Sequence, residues 1–194
     1  MAEKRQIPFG PADIIIGEGE DAIRFDGKSG EKSFLQAEGG SISIEPTFAD
    51  ITSIDFGESP YDQYSTGVAV TVTVIALQES VETLKLAIAS AQDVVKSAGG
   101  EVSGVTDAPV GQSNRAKGVK VTVHPRNAGN NKDFDYTIYK MAPNENFERE
   151  FSLEQGTVEI QFTAYPRDGA DASKGANFFY TGAVDPNASA SAEA

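Results

Sequence analysis

Val68, Val70, Val72 and Val74 recur at every second position of the chain, with Ala69, Thr71, Thr73 and Ile75 between them. Successive side chains of a strand point to opposite faces, so this alternation predicts a half-buried antiparallel strand over residues 68–77. Residues 157–166 repeat the pattern, with Val158, Ile160, Phe162 and Ala164 on one face and Thr157, Glu159, Gln161 and Thr163 on the other. Val119, Val121 and Val123 give a third run, ended by Pro125. Residues 41–45 alternate as well, and Pro46, which lacks a backbone donor, is expected to stop the pairing there. Shorter strands are predicted over residues 13–16, 22–25, 33–37, 48–55, 135–141 and 178–183.

One helix is predicted, over about residues 80–98. Val81, Leu84, Ile88, Ala91 and Val95 fall at helical spacing and form a single apolar stripe. Ser80 can cap its start, Glu82 suits the positive end of the dipole, and Gly99-Gly100 would end it. A lone amphipathic helix needs a sheet to cover. The expected fold is therefore mainly β: an antiparallel β-sandwich or barrel with one flanking α-helix. Residues 1–12 read as a flexible N-terminal arm, 13–185 as one domain, and 186–194 as a disordered small-residue tail. Within the domain, residues 45–67 and 99–118 read as long loops, the first carrying Pro60, Tyr61 and Tyr64. Residues 127–132 look like a hairpin turn. Loops of such length are uncommon in compact domains unless they are functional or flexible.

The chain has 194 residues, which suits one domain. Sixteen Lys and Arg against 29 Asp and Glu leave a formal charge of −13. That balance argues against tight binding to a nucleic-acid backbone, which depends on basic side chains releasing counterions, and against docking on anionic lipid. The absence of cysteine excludes disulfides, thiolate metal sites and thiol nucleophiles. The single histidine, His124, excludes multi-histidine metal sites; directly before Pro125 at a strand end, it reads as structural or exposed. Gly17-Glu18-Gly19 is a fragment of a glycine-rich loop, but Glu18, Glu20 and Asp21 would repel a phosphate. Glu18, Glu20, Asp21 and Asp26 could gather a calcium ion, yet their spacing matches no calcium loop, and a solvated acidic turn is the expectation. The many carboxylates could supply an acid/base pair for glycoside chemistry, but a chain without tryptophan is poorly equipped to stack sugars. No catalytic, cofactor-binding or metal-ligating residue is assigned. Residues 1–9 hold no apolar stretch behind Lys4 and Arg5, and the longest near-apolar run is about half a membrane span, so a cytosolic origin is expected.

Three further segments bear on function. The valine strand of residues 68–77 feeds directly into Gln78-Glu79-Ser80-Val81-Glu82-Thr83-Leu84. Tyr136-Thr137-Ile138-Tyr139-Lys140-Met141-Ala142-Pro143 precedes Asn146-Phe147-Glu148. Phe151-Ser152-Leu153-Glu154-Gln155 leads to the strand from Val158 to Pro166. With the opening Gly10-Pro11-Ala12-Asp13-Ile14-Ile15-Ile16, this order of patterns resembles the tail tube proteins (major tail proteins) of long-tailed bacteriophages, over roughly residues 10–185.

The resemblance implies a β-sandwich or barrel subunit that forms hexameric rings, stacked into a hollow tube through which DNA passes into the host. It implies no catalytic residue, no cofactor and no membrane. Partners would be further copies of the chain and other tail proteins: a terminator, a tape measure, and a baseplate or distal tail protein. The location would be the virion tail, after assembly in the host cytoplasm. Assembly elements of that family would correspond here to residues 2–12, 45–67, 99–118 and 168–185. Open sheet edges are expected to pair with the next copy, because ring closure satisfies the edge backbone groups. Phe48, Phe56, Tyr61 and Tyr64 are the candidate inter-subunit contacts, since aromatic side chains are enriched at interface hot spots. Acidic lumen walls would leave DNA unbound and sliding; Glu159 lies on the polar face of its strand, which could be lumen or outer surface. Two other classes share the strand pattern: an immunoglobulin-like surface or decoration module that binds a partner, and a jelly-roll carbohydrate-active enzyme.

Overall fold

In the computed structural model, residues 7–96, 100–153 and 155–188 are described. The elements run β1 (Ala12–Ile16), β2 (Ile23–Phe25), β3 (Ser41–Thr52), β4 (Pro60–Ala76), α1 (Val81–Ala87), β5 (Gln92–Val95), β6 (Val102–Thr106), β7 (Val119–Pro125), β8 (Tyr136–Pro143), β9 (Val158–Ala164) and β10 (Phe179–Thr181). The fold is mainly β, and α1 is the one α-helix among the described residues. The large sheet has the order β2-β1-β7-β8-β9-β4-β3, with β10 also paired to β8, and every ladder is antiparallel. β5 and β6 form a separate two-stranded hairpin.

The inward face carries the alternating apolar set. Val70, Val72 and Val74 of β4 pack with Val158, Ile160 and Phe162 of β9, all with almost no exposure. Ile14, Ile16, Phe25, Val121, Ile138 and Met141 complete that core from the other strands. Glu159 points outward and is exposed, as the two-residue period requires. Among the described residues no ladder closes the sheet. The segment between β2 and β3 instead stitches its ends: Ser33 bridges Arg24 of β2, and Gln36 bridges Ala76 of β4. The Gln36 amide also donates to the Ala12 and Phe25 carbonyls, at 2.8 and 2.7 Å. The expected strand over residues 33–37 is thus a pair of bridges. Of the free edges, the one along β3 is much the longer.

The helix is shorter than its stripe suggests. α1 starts at a Ser80 cap in which the Ser80 hydroxyl accepts from the Thr83 N–H and the Thr83 hydroxyl accepts from the Ser80 N–H. It stops at Ala87: Ile88 is already extended and Ser90 has φ +60°. Thr83 and Ala87, one turn apart, are the buried positions, while Val81, Leu84 and Ile88 are only half-buried. β-branched Val94 and Val95, expected at the helix end, lie in β5, where such side chains fit a pleated surface. Ser97, Ala98 and Gly99 lie outside the described residues.

Of the two expected loops, residues 45–67 are largely strand and residues 100–118 are largely loop. Pro46 does not end β3: it pairs with Val68, and the ladder continues to Thr52 opposite Pro60. β3 is an edge strand, where a missing donor can face solvent without breaking a ladder bond. Residues 45–67 are therefore the outer half of the β3–β4 hairpin. Residues 100–118 hold β6 and a short 3-10 turn, Arg115–Lys117.

The end segments are tethered where they are described. The Asn127 amide donates to the Ile7 carbonyl at 2.8 Å, and the Arg126 N–H donates to that of Pro11 at 3.1 Å. Residues 1–6 of the expected arm and 189–194 of the expected tail lie outside the described residues. Residues 168–185, one of the segments matched to assembly elements, fold back on the body. Asp168 accepts from Lys140 and Arg115, and β10 adds to β8. The Tyr139 hydroxyl donates to Asp185 at 2.6 Å and accepts from Asn187 at 2.8 Å. Burial, and then the bond to Asp185, pushes that phenol up to about 12. Pro186 to Ala188 thus belong to the folded body.

Candidate functional site

The outer half of the β3–β4 hairpin leaves the body as an arm. From Glu45 to Gly67 every residue except Ser53 is exposed, on both faces of the ribbon. Two register shifts, at Thr47/Phe48 and Ile51/Thr52, interrupt the ladder; such bulges bend and twist a ribbon. Cross-strand bonds hold it: the Gln63 amide donates to Asp50 at 2.8 Å, and the Thr66 hydroxyl to that of Thr47 at 3.1 Å. At the tip, a 3-10 turn over Ile54–Phe56 ends at Gly57, whose φ of +69° suits a residue without Cβ.

All four candidate contact residues lie on this arm, and all are exposed: Phe48 at 54%, Phe56 at 63%, Tyr61 at 67% and Tyr64 at 60%. Phe56 stacks on Tyr61 with ring centroids 5.7 Å apart. The register puts Phe48, Asp50, Gln63 and Tyr61 on one face, and Ala49, Ile51, Asp62 and Tyr64 on the other. The two tyrosines therefore look in opposite directions. Sequence reasoning missed Ile51 and Ile54, exposed at 43% and 96%. The period-two run Ala49, Ile51 beside Asp50, Thr52 was the available signal; it falls in the expected strand over residues 48–55, where the sequence reading singles out only the aromatic side chains.

An isolated two-stranded ribbon is marginal in water, since it has no second layer on which to bury a face. Here five of the large side chains on the ribbon and its tip are aromatic or aliphatic and mostly solvated. Glu45, Asp50, Asp55, Glu58 and Asp62 share the ribbon with them, and no Lys or Arg occurs between residues 45 and 67. The five carboxylates hydrate the surface between these apolar side chains. The outer edge of β3 carries Glu45, Pro46 and Asp50, features that discourage backbone pairing with another strand, while both bulged residues, Tyr61 and Thr66, lie on β4. The side-chain faces of the ribbon, more than its edge, are the available contact surface.

The strand directions fix where the rest of the surface lies. β4 runs from the arm toward α1. The antiparallel ladders then place Val158, Pro143, Val119 and the β1–β2 turn at the α1 end, with Ala12, Pro125 and Tyr136 at the arm end. At the α1 end a cleft of about 580 Å³ opens between the helix, β6 and the sheet. Leu86, Val119 and Phe162 are among its apolar lining, and Lys32, Lys85 and Lys117 among its polar lining. At the arm end a smaller groove of about 250 Å³ lies under Phe9.

The acidic candidates do not converge. Glu18 pairs with Lys120 at 2.9 Å, Asp21 pairs with Lys32, and Asp26 lies 3.8 Å from Lys28. Among the described residues, no group of three acidic or histidine side chains is placed to hold a metal ion. Glu145, Glu148 and Glu159 share a pocket of about 240 Å³ with no aromatic lining. His124 is held structurally: Nδ1 lies 2.5 Å from Asp135 and Nε2 2.8 Å from the Gly129 carbonyl. Burial, the largest influence, opposes its charge, but the Asp135 and Gly129 bonds and the fields of Asp135 and Asp13 outweigh it. The imidazole therefore titrates above its ordinary value, with both nitrogens donating when charged.

A comparison of the chain with models of known protein families gives no match, and neither does a comparison with curated proteins.

Proposed function

We propose that this chain is a structural subunit that assembles with copies of itself into a hollow tube, the tail tube of a long-tailed bacteriophage. The observation that carries the reading is the protruding β3–β4 arm, a two-faced ribbon bearing Phe48, Phe56, Tyr61 and Tyr64 in solvent. A ribbon of that kind gains stability only when another surface covers it. The sequence resemblance supplies the rest of the reading: hexameric rings, stacked, with DNA passing through the lumen. It also supplies the partners, namely a terminator, a tape measure, and a baseplate or distal tail protein, and places the product in the virion tail. A net charge of −13 supports it, since acidic walls would let a duplex slide without binding. No catalysis, cofactor or membrane is part of the reading.

Negative-stain microscopy and sedimentation of the purified chain over a wide concentration range test it. Rings or hollow filaments of uniform diameter above a critical concentration are expected. Monomers at every concentration and salt would overturn it and favour the immunoglobulin-like binding module.

A further inference from the structure

The arm leaves the body at one end, and the cleft beside α1 opens at the other. One chain therefore cannot dock its own arm in its own cleft, whereas two copies placed end to end can. Their chemistries match. The arm is wholly acidic in its charges and carries Phe48, Ile51, Ile54, Phe56, Tyr61 and Tyr64 among uncharged polar residues. The cleft presents three lysines to three carboxylates, Asp21 and Glu82 in its lining and Asp93 beside Lys85, a balanced surface on a chain that is strongly negative overall. Its apolar wall is partly wet: Val102 and Val119 are 40% and 38% exposed. At about 580 Å³ the cleft has the volume of a ligand-sized cavity.

We propose that this cleft receives the arm tip, Ser53 to Tyr61, of a second copy of the chain. Ile54, Phe56 and Tyr61 enter against Leu86, Val102 and Val119, while Asp55 and Glu58 face the lysines. The inference rests on the arm being an assembly element and adds its receptor. The lysines are free to exchange partners. Lys85 pairs with Asp93 at 2.7 Å and Lys32 with Asp21, both exposed pairs of the kind worth little. Lys117 donates to the Ser90 carbonyl at 3.2 Å, a neutral acceptor. Because donor and receptor surfaces differ, the contact is head to tail and propagates from copy to copy without limit along the axis.

Charge exchange between the two surfaces tests the proposal. One variant carries Lys85→Glu and Lys117→Glu; the other carries Asp55→Lys and Glu58→Lys. All four positions are on the surface, and circular dichroism and melting check that each variant folds. Each alone is expected to raise the critical concentration for assembly at least tenfold. An equimolar mixture is expected to restore it, since every cleft then meets a tip of opposite charge. The chain has no cysteine, so Glu58→Cys in one copy and Lys117→Cys in another offer a second readout. Oxidation of their mixture should give chiefly the mixed disulfide. If the cleft variant assembles like the parent while a chain with residues 47–66 replaced by Asn-Gly does not, the arm docks elsewhere and the cleft is not its receptor. If the armless chain also assembles normally, the reading of the arm fails, and this proposal with it.

Discussion

Replacing Tyr61 and Tyr64 together with alanine removes one aromatic side chain from each face of the arm. Both are mostly solvated in the single chain, at 67% and 60% exposure. An aromatic side chain can bury roughly 200 Å², so about 130 and about 120 Å² remain to be covered on assembly. At about 25 cal/mol per Å², full cover is worth about 3 kcal/mol for each ring, and half cover about 1.5 kcal/mol. Half cover of both then amounts to about 3 kcal/mol per contact, or a critical concentration raised on the order of 100-fold. Within the single chain, the main loss is the Tyr61 stack on Phe56, worth about 0.5–1.5 kcal/mol on a ribbon outside the core. For a chain of this size that corresponds to a melting shift of a few degrees, about 2–4 °C per kcal/mol. Pelleting assays across concentration, paired with thermal melts, separate the two effects. Unchanged assembly would refute the argument, and so would a collapse of the melting temperature, which would make the tyrosines part of the fold.

Phe162→Asp is expected to unfold the chain, because Phe162 has no exposure at the centre of the core and a lone buried carboxylate is strongly destabilising. A wild-type far-UV spectrum and melt would mean that the inward face of β9 is misassigned. Gly40→Ala is expected to lose about 1–3 kcal/mol by overpacking: its Cβ would meet the Ile14 side chain and lie 2.8 Å from the Thr73 carbonyl, which is backbone and cannot swing away. A denaturant midpoint equal to the parent's would contradict that geometry. His124 has its pKa raised in the folded chain, so the stability it contributes is full below its unfolded value near 6.5 and declines as pH rises through the folded value. His124→Gln should flatten the pH dependence in that window, read by chemical denaturation; an unaltered slope would show that the Asp135–His124–Gly129 bridge does not stabilise the charged ring.

The sequence was most legible where burial is one-sided. The alternation of Val70, Val72 and Val74, and of Val158, Ile160 and Phe162, identified the core faces without ambiguity because a period of two admits one inward set. The Ser80 cap was readable too, although its reciprocal partner is Thr83 rather than a longer polar side chain. The end of α1 was not readable: the helical stripe continues through Ala91 and Val95, and only the turn at Ser90 and pairing with β6 divert them. Pro46 misled for a positional reason. Proline blocks a central strand, but nothing in the local sequence says that β3 lies at the edge. The aromatic candidates were identified by type, and their common place on one ribbon required the register of β3 against β4. The cleft was beyond reach, since Lys32, Lys85 and Lys117 come from separate parts of the chain and meet only in the folded molecule.

Hydrogen exchange measured on soluble and assembled fractions of the wild-type chain bears most directly on the role of the arm. Amides of residues 45–67 should exchange at least tenfold more slowly in the assembled fraction, while those of Val70, Val72 and Val74 stay protected in both. Equal exchange of the arm in the two fractions, or no assembled fraction at any concentration, would contradict the account.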